Sequence, residues 1–139
     1  MSYWLVKSEP EAWSWQQQVE AGAKGTAWTG VRNHTAKQNL MKMKKGDRAF
    51  FYHSGVGKEI VGVAEVTREH FPDPTDKSKM FVAVDLKAVA PMPTPVTLAA
   101  IKAEPKLGDL ALVRQSRLSV VPVAAEEWRV ICKMAGVPA

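Results

Sequence analysis

The chain has 139 residues, of which 46% are hydrophobic and 24% charged, so its composition excludes intrinsic disorder and suits one hydrophobic core. Its formal charge of +5, from 19 Lys and Arg against 14 Asp and Glu, favours polyanionic partners such as nucleic acid. Cys132 is the sole cysteine, which excludes an intrachain disulfide and a cysteine-based zinc site. We expect a single domain over residues 1–139 with no membrane span, located in the cytoplasm, or at the nucleoid if it binds DNA.

The chain opens with a predicted strand over Tyr3–Ser8, rich in β-forming and aromatic residues. Pro10 forbids its simple continuation. Ser14 and Gln17 have the spacing of a capping box, which predicts a short helix over residues 14–21 that stops at Gly22.

The next stretch combines an aromatic ring, a glycine, a cation and a capping amide. Trp28 offers a flat surface for stacking, and Gly30 permits positive φ or a close backbone approach. Asn33 predicts the start of a helix over residues 34–44, and Arg32 lies near that helix N-terminus, where an anion is favoured. We interpret this loop as one lip of a binding pocket. The alternative is that Trp28 is core, Gly30 a mere turn and Arg32 a solvated charge.

The helix over residues 34–44 has an apolar face and a strongly basic remainder. A dense cluster of basic residues predicts contacts with a phosphate backbone. The alternative is a solvated face without a partner. The lysines concerned are Lys37, Lys42, Lys44 and Lys45.

Three further strands are predicted after this helix. Residues 48–54 are partly apolar on both faces, which favours a central strand. Residues 59–68 form the next strand, in which Gly62 predicts a bulge or tight curvature of the kind that suits a small closed barrel. Residues 80–89 form the third.

The remaining chain mixes extended and helical segments. Pro91, Pro93 and Pro95 predict an extended connector within the domain. Thr97 is expected to cap a short helix that reaches residue 103. Residues 112–120 place two arginines among hydroxyl and amide groups ahead of a strand. The last helix, over residues 125–135, is expected to bury one face, formed by Trp128, Ile131, Cys132 and Ala135.

Several catalytic templates fail against this sequence. It has no phosphate-binding glycine loop and no dinucleotide fingerprint, and His34, His53 and His70 lack the spacing of a metal site. We therefore expect no metal and no cofactor. The best acid and base candidates are Lys7 and Glu9, although these side chains could form only an exposed ion pair.

Five segments, taken in chain order, resemble the EVE domain, a member of the PUA-like superfamily that also includes thymocyte nuclear protein. They are residues 3–10 (YWLVKSEP), 28–33 (WTGVRN), 46–54 (GDRAFFYHS), 60–66 (IVGVAEV) and 112–120 (LVRQSRLSV). The loop over residues 73–79 is shorter than the aromatic-rich insertion of some members.

The resemblance implies an α+β fold built as a small PUA-like mixed β-barrel with flanking helices. It also implies a non-enzymatic module that recognises a modified base, such as a modified cytosine or adenine, in DNA rather than RNA. The alternative is a hydrolase acting on a modified nucleoside, as in ASCH-type relatives, with Lys7 and Glu9 as its catalytic candidates.

Carried over to this chain, the resemblance implies a pocket in which aromatic rings stack on an extruded base. Polar side chains and backbone groups would read the edge of the base, while Arg and Lys would hold the flanking phosphates. The implied residues are Ser8, Glu9, Trp28, Gly30, Val31, Arg32, Asn33, Tyr52, His53, Ser54, Arg114, Ser116, Arg117 and Ser119.

Overall fold

The computed structural model describes residues 1–55 and 57–139, which form a six-stranded mixed sheet with flanking helices. The strands are β1 (Tyr3–Ser8), β2 (Thr26–Ala27), β3 (Arg48–His53), β4 (Glu59–Pro72), β5 (Val82–Thr97) and β6 (Val120–Val123). The helices are α1 (Trp15–Glu20), α2 (His34–Lys42), α3 (Leu98–Ala103), α4 (Ala111–Arg114) and α5 (Ala125–Ala135), with a 3-10 turn at Pro105–Leu107. Within the described ranges, no helix is both long and apolar enough to cross a bilayer.

A mixed sheet with flanking helices confirms the predicted α+β class. The sheet is open, so the predicted closed barrel is wrong. Its strand order is β2-β5-β4-β3-β1-β6, and in the described chain β2 and β6 do not pair with each other. Helix α2 packs against both β5 and β6 and therefore covers the gap between the two ends of the sheet. Asn39 of α2 donates from Nδ2 to the carbonyl oxygen of Val120 at 2.7 Å. A helix thus supplies contacts that strand pairing supplies in a barrel.

The order of the strands places the C-terminal end of β1 between β3 and β6. β1 runs parallel to β3, with Lys7 opposite Tyr52 and Ser8 opposite His53, and antiparallel to β6 on its other side. The backbone N–H of Lys7 donates to the carbonyl of Ser119 at 3.0 Å, just before β6 begins. Segments distant in sequence therefore meet where β1 ends.

The predicted helix starts are confirmed by their hydrogen bonds. Ser14 Oγ accepts from the N–H of Gln17, and Gln17 Oε1 accepts from the N–H of Ser14, which completes the capping box. Asn33 Oδ1 accepts from the N–H of Ala36 at 2.9 Å. Helix α2 ends at Lys42, two residues before the predicted end, because the backbone of Met43 is already extended.

The proline-rich segment is the clearest correction among the elements. It belongs to β5 and pairs with β4, for instance through Pro91 opposite Gly62, instead of forming a connector. On the other side of β5, within the described chain, β2 pairs only with Asp85 and Leu86. The prolines therefore lie where β5 is an edge strand, and a missing N–H is tolerated there.

The predicted bulge at Gly62 is confirmed. Phe51 pairs with Gly62 while Tyr52 pairs with Ile60, so one residue of β4 is skipped. A Cβ at Gly62 would lie 2.4 Å from the indole of Trp15, which packs across the bulge. Glycine is therefore required here for space.

Gly62→Ala is expected to lower the free energy of unfolding by about 1–3 kcal/mol, since the Trp15 ring must shift to admit the methyl group. Denaturant titration followed by tryptophan fluorescence measures this. Gly108→Ala is the matched control, because Gly108 has helical φ and its added Cβ would meet Pro105 at an ordinary 3.4 Å. Equal stability of the two variants would contradict the packing argument.

Candidate functional site

A cavity of about 680 Å³ lies beside the end of β1 and the loop between β2 and α2. Its volume is within the range of roughly 300–1,000 Å³ that is usual for small-molecule sites. The lining contains two indoles, two basic side chains and no carboxylate among the described residues. The lining residues are Lys7, Ser8, Ala12, Trp13, Thr26, Ala27, Trp28, Thr29, Gly30, Val31, Arg32, Asn33 and Ser119.

Trp28 is both a core residue and a wall of this cavity. It is only 7% exposed, and its ring meets Phe51 edge to face with centroids 5.4 Å apart. Its backbone N–H donates to the carbonyl of Val84 in β5 at 2.7 Å. The two interpretations that the sequence left open therefore do not exclude each other.

Asp73 fixes the loop from Trp28 to Asn33 through hydrogen bonds. Gly30, with φ of +85°, donates its N–H to Asp73 Oδ2 at 2.9 Å, and Arg32 Nη1 donates to the same oxygen at 3.0 Å. Thr75 donates to Asp73 Oδ1 from both its N–H and its hydroxyl at 2.7 Å. The short loop after β4 thus supports the cavity wall.

These contacts set the charge state of Asp73. Burial acts to raise the pKa of this carboxyl, but hydrogen bonds from Thr75, Gly30 and Arg32 outweigh it and lower the pKa to about 2. The guanidinium of Arg32 is therefore ion-paired at the edge of the cavity, where the sequence had suggested a solvated charge or an anion contact.

Ser8 and Lys7 order the opposite wall. Ser8 Oγ donates to the carbonyl of Trp13 at 2.6 Å, and Trp13 Nε1 donates to Gln18 Oε1 at 2.8 Å. Lys7 Nζ donates to the carbonyl of Ser116 at 2.8 Å, and burial lowers the pKa of this half-buried amine. The side chains of Lys7 and Ser8 are thereby fixed in position.

The structure brings many of the predicted residues to this cavity and places others elsewhere. Those lining it are Lys7, Ser8, Trp28, Gly30, Val31, Arg32, Asn33 and Ser119. Tyr52, Ser54 and Ser116 line a second cavity of about 240 Å³, to which Lys7 also contributes. Arg117 lines a separate recess with Asn33.

Three predicted residues have structural partners outside the cavity. Glu9 is exposed, and its carbonyl oxygen accepts from the N–H groups of Ala12 and Trp13. His53 Nε2 accepts from the N–H of Trp15 at 3.0 Å; burial lowers the pKa of this imidazole, although Glu59 acts in the opposite direction. Arg114 donates to the carbonyl of Gly108 and pairs with Asp109.

The basic residues of α2 and the following turn lie on the surface. Lys42, Lys44 and Lys45 are exposed, and Lys37 is partly covered by the ring of Phe81. The apolar side of the helix is buried, as its periodicity predicted. In the part of the chain that the structure describes, no group of three or more His, Cys, Asp or Glu side chains could hold a metal ion.

Outside the predicted loop over residues 28–33, which also contributes Thr29, sequence reasoning missed four residues of the cavity lining, namely Ala12, Trp13, Thr26 and Ala27. A signal existed for Trp13, because this aromatic residue lies directly before the capping box. Thr26 and Ala27 form a strand too short to be recognised from periodicity. Their position depends on pairing with β5.

Comparison with known proteins gives a consistent family match. The model of the EVE domain family matches residues 2–134. Human thymocyte nuclear protein 1 is 30% identical over a match that covers 91% of this chain and 71% of the relative. A protein of Rhodopseudomonas palustris solved by NMR is 65% identical, with a TM-score of 0.92 over 98% of this chain and 94% of that chain.

Two similar structures contain nucleic acid. Human THYN1 protein, solved in complex with 5-methylcytosine containing DNA, is 28% identical, with a TM-score of 0.90 over the whole of both chains. A YTH domain of Zygosaccharomyces rouxii, solved with N6-methyladenosine RNA, is 17% identical with a TM-score of 0.60 over 99% of this chain and 86% of that chain. The second match shows a shared fold alone.

Proposed function

Because this chain belongs to the EVE domain family, we propose that it is a non-enzymatic module that binds a modified base in DNA, with the base held beside Trp28. The observation that carries the proposal is a cavity with two indoles, basic edges and no carboxylate among the described lining residues. The complex of human THYN1 protein with 5-methylcytosine DNA supports the choice of ligand. We favour modified cytosine, with modified adenine next.

The geometry suits recognition of an extruded base. Trp13 and Trp28 offer aromatic surface, and stacking on such a ring contributes about 1–3 kcal/mol per base. In the described chain, the backbone N–H groups of Thr29 and Val31 have no protein acceptor, so they can donate to the polar edge of a base. Extrusion itself costs a few kcal/mol, which these contacts must offset.

A cavity-filling variant tests the location of the base. Ala12 lines the cavity yet is exposed, so Ala12→Phe should occupy the space with little effect on the core. We expect it to abolish the preference for a 5-methylcytosine oligonucleotide, measured by fluorescence anisotropy. Ala125→Phe, at an exposed position in the first turn of α5, should leave the preference intact. Unchanged discrimination by Ala12→Phe would place the base elsewhere.

The exposed lysines are proposed to contact phosphates of the DNA backbone. Affinity should then fall with salt, with a log–log slope of about 0.9 per phosphate neutralised. Replacing Lys42 and Lys45 together by glutamine should reduce that slope by up to about 1.8 while retaining the preference for the modified base. Replacing Arg129 and Lys133 of α5 together by glutamine, which removes the same two charges, serves as the charge-matched control. Binding that is indifferent to salt would contradict this part of the proposal.

One observation favours the alternative of a hydrolase. Lys7 is half-buried at the cavity and burial lowers its pKa, a direction that favours a reactive amine. Glu9, its expected partner, does not line the cavity. We expect incubation with modified nucleosides to leave them chemically unchanged, as judged by chromatography. Turnover that disappears in Lys7→Ala would favour the hydrolase instead.

A further inference from the structure

We infer that the second cavity, between the ends of β1 and β3 and the start of α3, is a binding site for a phosphate group. The inference goes beyond the proposed base pocket, on which it rests only for the source of the phosphate. The cavity has a volume of about 240 Å³. It is lined by Lys7, Tyr52, Ser54, Gly55, Lys58, Leu98, Leu112 and Ser116.

The chemistry of this lining fits an anion. Lys7 and Lys58 bring two ammonium groups, and Tyr52, Ser54 and Ser116 bring hydroxyl groups that can donate hydrogen bonds. The described lining residues include no Asp or Glu. A phosphate oxygen accepts hydrogen bonds from both kinds of donor, and charge-assisted bonds of this type are strong.

Lys7 is the central cationic group of this cavity. Its Nζ donates to the carbonyl oxygen of Ser116, and within residues 1–55 and 57–139 no carboxylate forms an ion pair with it. A half-buried ammonium without a counterion is unfavourable, which agrees with the lowered pKa of Lys7. A bound phosphate would supply the missing negative charge.

The backbone of Lys58 provides a second observation, independent of Lys7. Its φ of +42° lies in the left-handed region, which a lysine rarely adopts, and its carbonyl accepts from the N–H of Leu98 at 2.8 Å. This conformation belongs to the turn between β3 and β4, and the turn places Lys58 in the lining of the cavity. The hydrogen bond to α3 holds Lys58 at the rim of the cavity.

The position of the small cavity indicates where the phosphate comes from. Lys7 lines both cavities, so an anion bound in the small one is adjacent to a base bound in the large one. The N–H of Ser54 donates to the carbonyl of Ser8 at 3.0 Å, which fixes the ends of β3 and β1 relative to each other. We therefore identify the ligand as an internucleotide phosphodiester next to the extruded nucleotide; a free monophosphate shares the chemistry.

Small phosphates test the site without reference to any base. Titration with dimethyl phosphate, followed by amide NMR, should shift the signals of Ser54 and Ser116 with saturation. Methyl phosphate forms the second arm, and tighter binding of this monoester than of the diester would assign the site to free monophosphates. Lys58→Met should abolish the shifts, and Lys133→Met should retain them. No response of these amides in the folded wild-type protein would overturn the inference.

Binding to DNA then separates this site from the base pocket. Lys58→Met should weaken binding to modified and unmodified oligonucleotides by the same factor and reduce the salt slope by about 0.9. A wild-type protein that binds dimethyl phosphate but ignores base modification would contradict the proposed function and retain the phosphate site. An unchanged salt slope in Lys58→Met would contradict the phosphate site and leave the base pocket intact.

Discussion

Trp28→Ala is expected to lower the free energy of unfolding by about 3–5 kcal/mol, because a large buried ring leaves a cavity when it is truncated. The ring is packed against Phe51 in the core, and it also lines the large cavity. We therefore expect the folded fraction of the variant to lose about 1–3 kcal/mol of binding to the preferred oligonucleotide as well. Thermal unfolding and anisotropy measured on the same preparation report the two effects.

Trp28→Phe provides the matched control for this change. It keeps a flat aromatic ring and most of the buried volume, so both losses should be smaller. A Trp28→Ala protein that melts like the wild type would contradict the burial of the ring. A variant that melts early yet binds normally when folded would remove Trp28 from the binding site.

Asp73→Ala is expected to cost about 1.5–3 kcal/mol of stability, because it removes a buried carboxylate that accepts hydrogen bonds from Gly30, Arg32 and Thr75. Gly30 and Arg32 would be released together, so the cavity wall should become mobile and affinity for modified DNA should fall. Amide hydrogen exchange at Gly30 measures the loosening directly. Asp76→Asn is the control, since Asp76 caps its own loop through Ser78 and Phe81. Equal loss of affinity in both variants would contradict the specific role of Asp73.

The same carboxylate predicts the direction of the pH dependence. Its folded-state pKa of about 2 lies below the ordinary unfolded value of about 3.9. Asp73 therefore contributes stability that is fully present above about pH 4 and is lost as the pH falls towards 2. Urea titrations across that window should show a steeper loss for the wild type than for Asp73→Asn. Parallel curves would show that another group is responsible.

Local signals were sufficient for most of the elements. The capping box at Ser14 and the amide cap at Asn33 start helices because their hydrogen bonds span only three residues. The apolar periodicity of α5 likewise specified its buried face. Of the candidate site, the loop from Trp28 to Asn33 was recognisable because its stacking surface and helix cap are adjacent in sequence.

The remaining features depend on contacts between distant segments. Asp73 holds Gly30 across 43 positions, a contact that no local pattern encodes. The prolines of β5 lie within a strand because that part of β5 is an edge, which requires knowledge of the strand order. The separation of Tyr52 and Ser54 from the cavity beside Trp28 likewise follows from the tertiary arrangement. Sequence resemblance had merged these groups into one pocket.

The most direct test of a modified-base reader is the ratio of two dissociation constants for the wild-type protein. The two DNA oligonucleotides should be identical apart from one 5-methylcytosine, with N6-methyladenine and matched RNA as further pairs. One methyl group in a close-fitting pocket is worth roughly 1–3 kcal/mol, so we expect 10- to 200-fold tighter binding of the preferred modified oligonucleotide. Equal dissociation constants for every modified and unmodified pair would contradict the proposed recognition of a modified base.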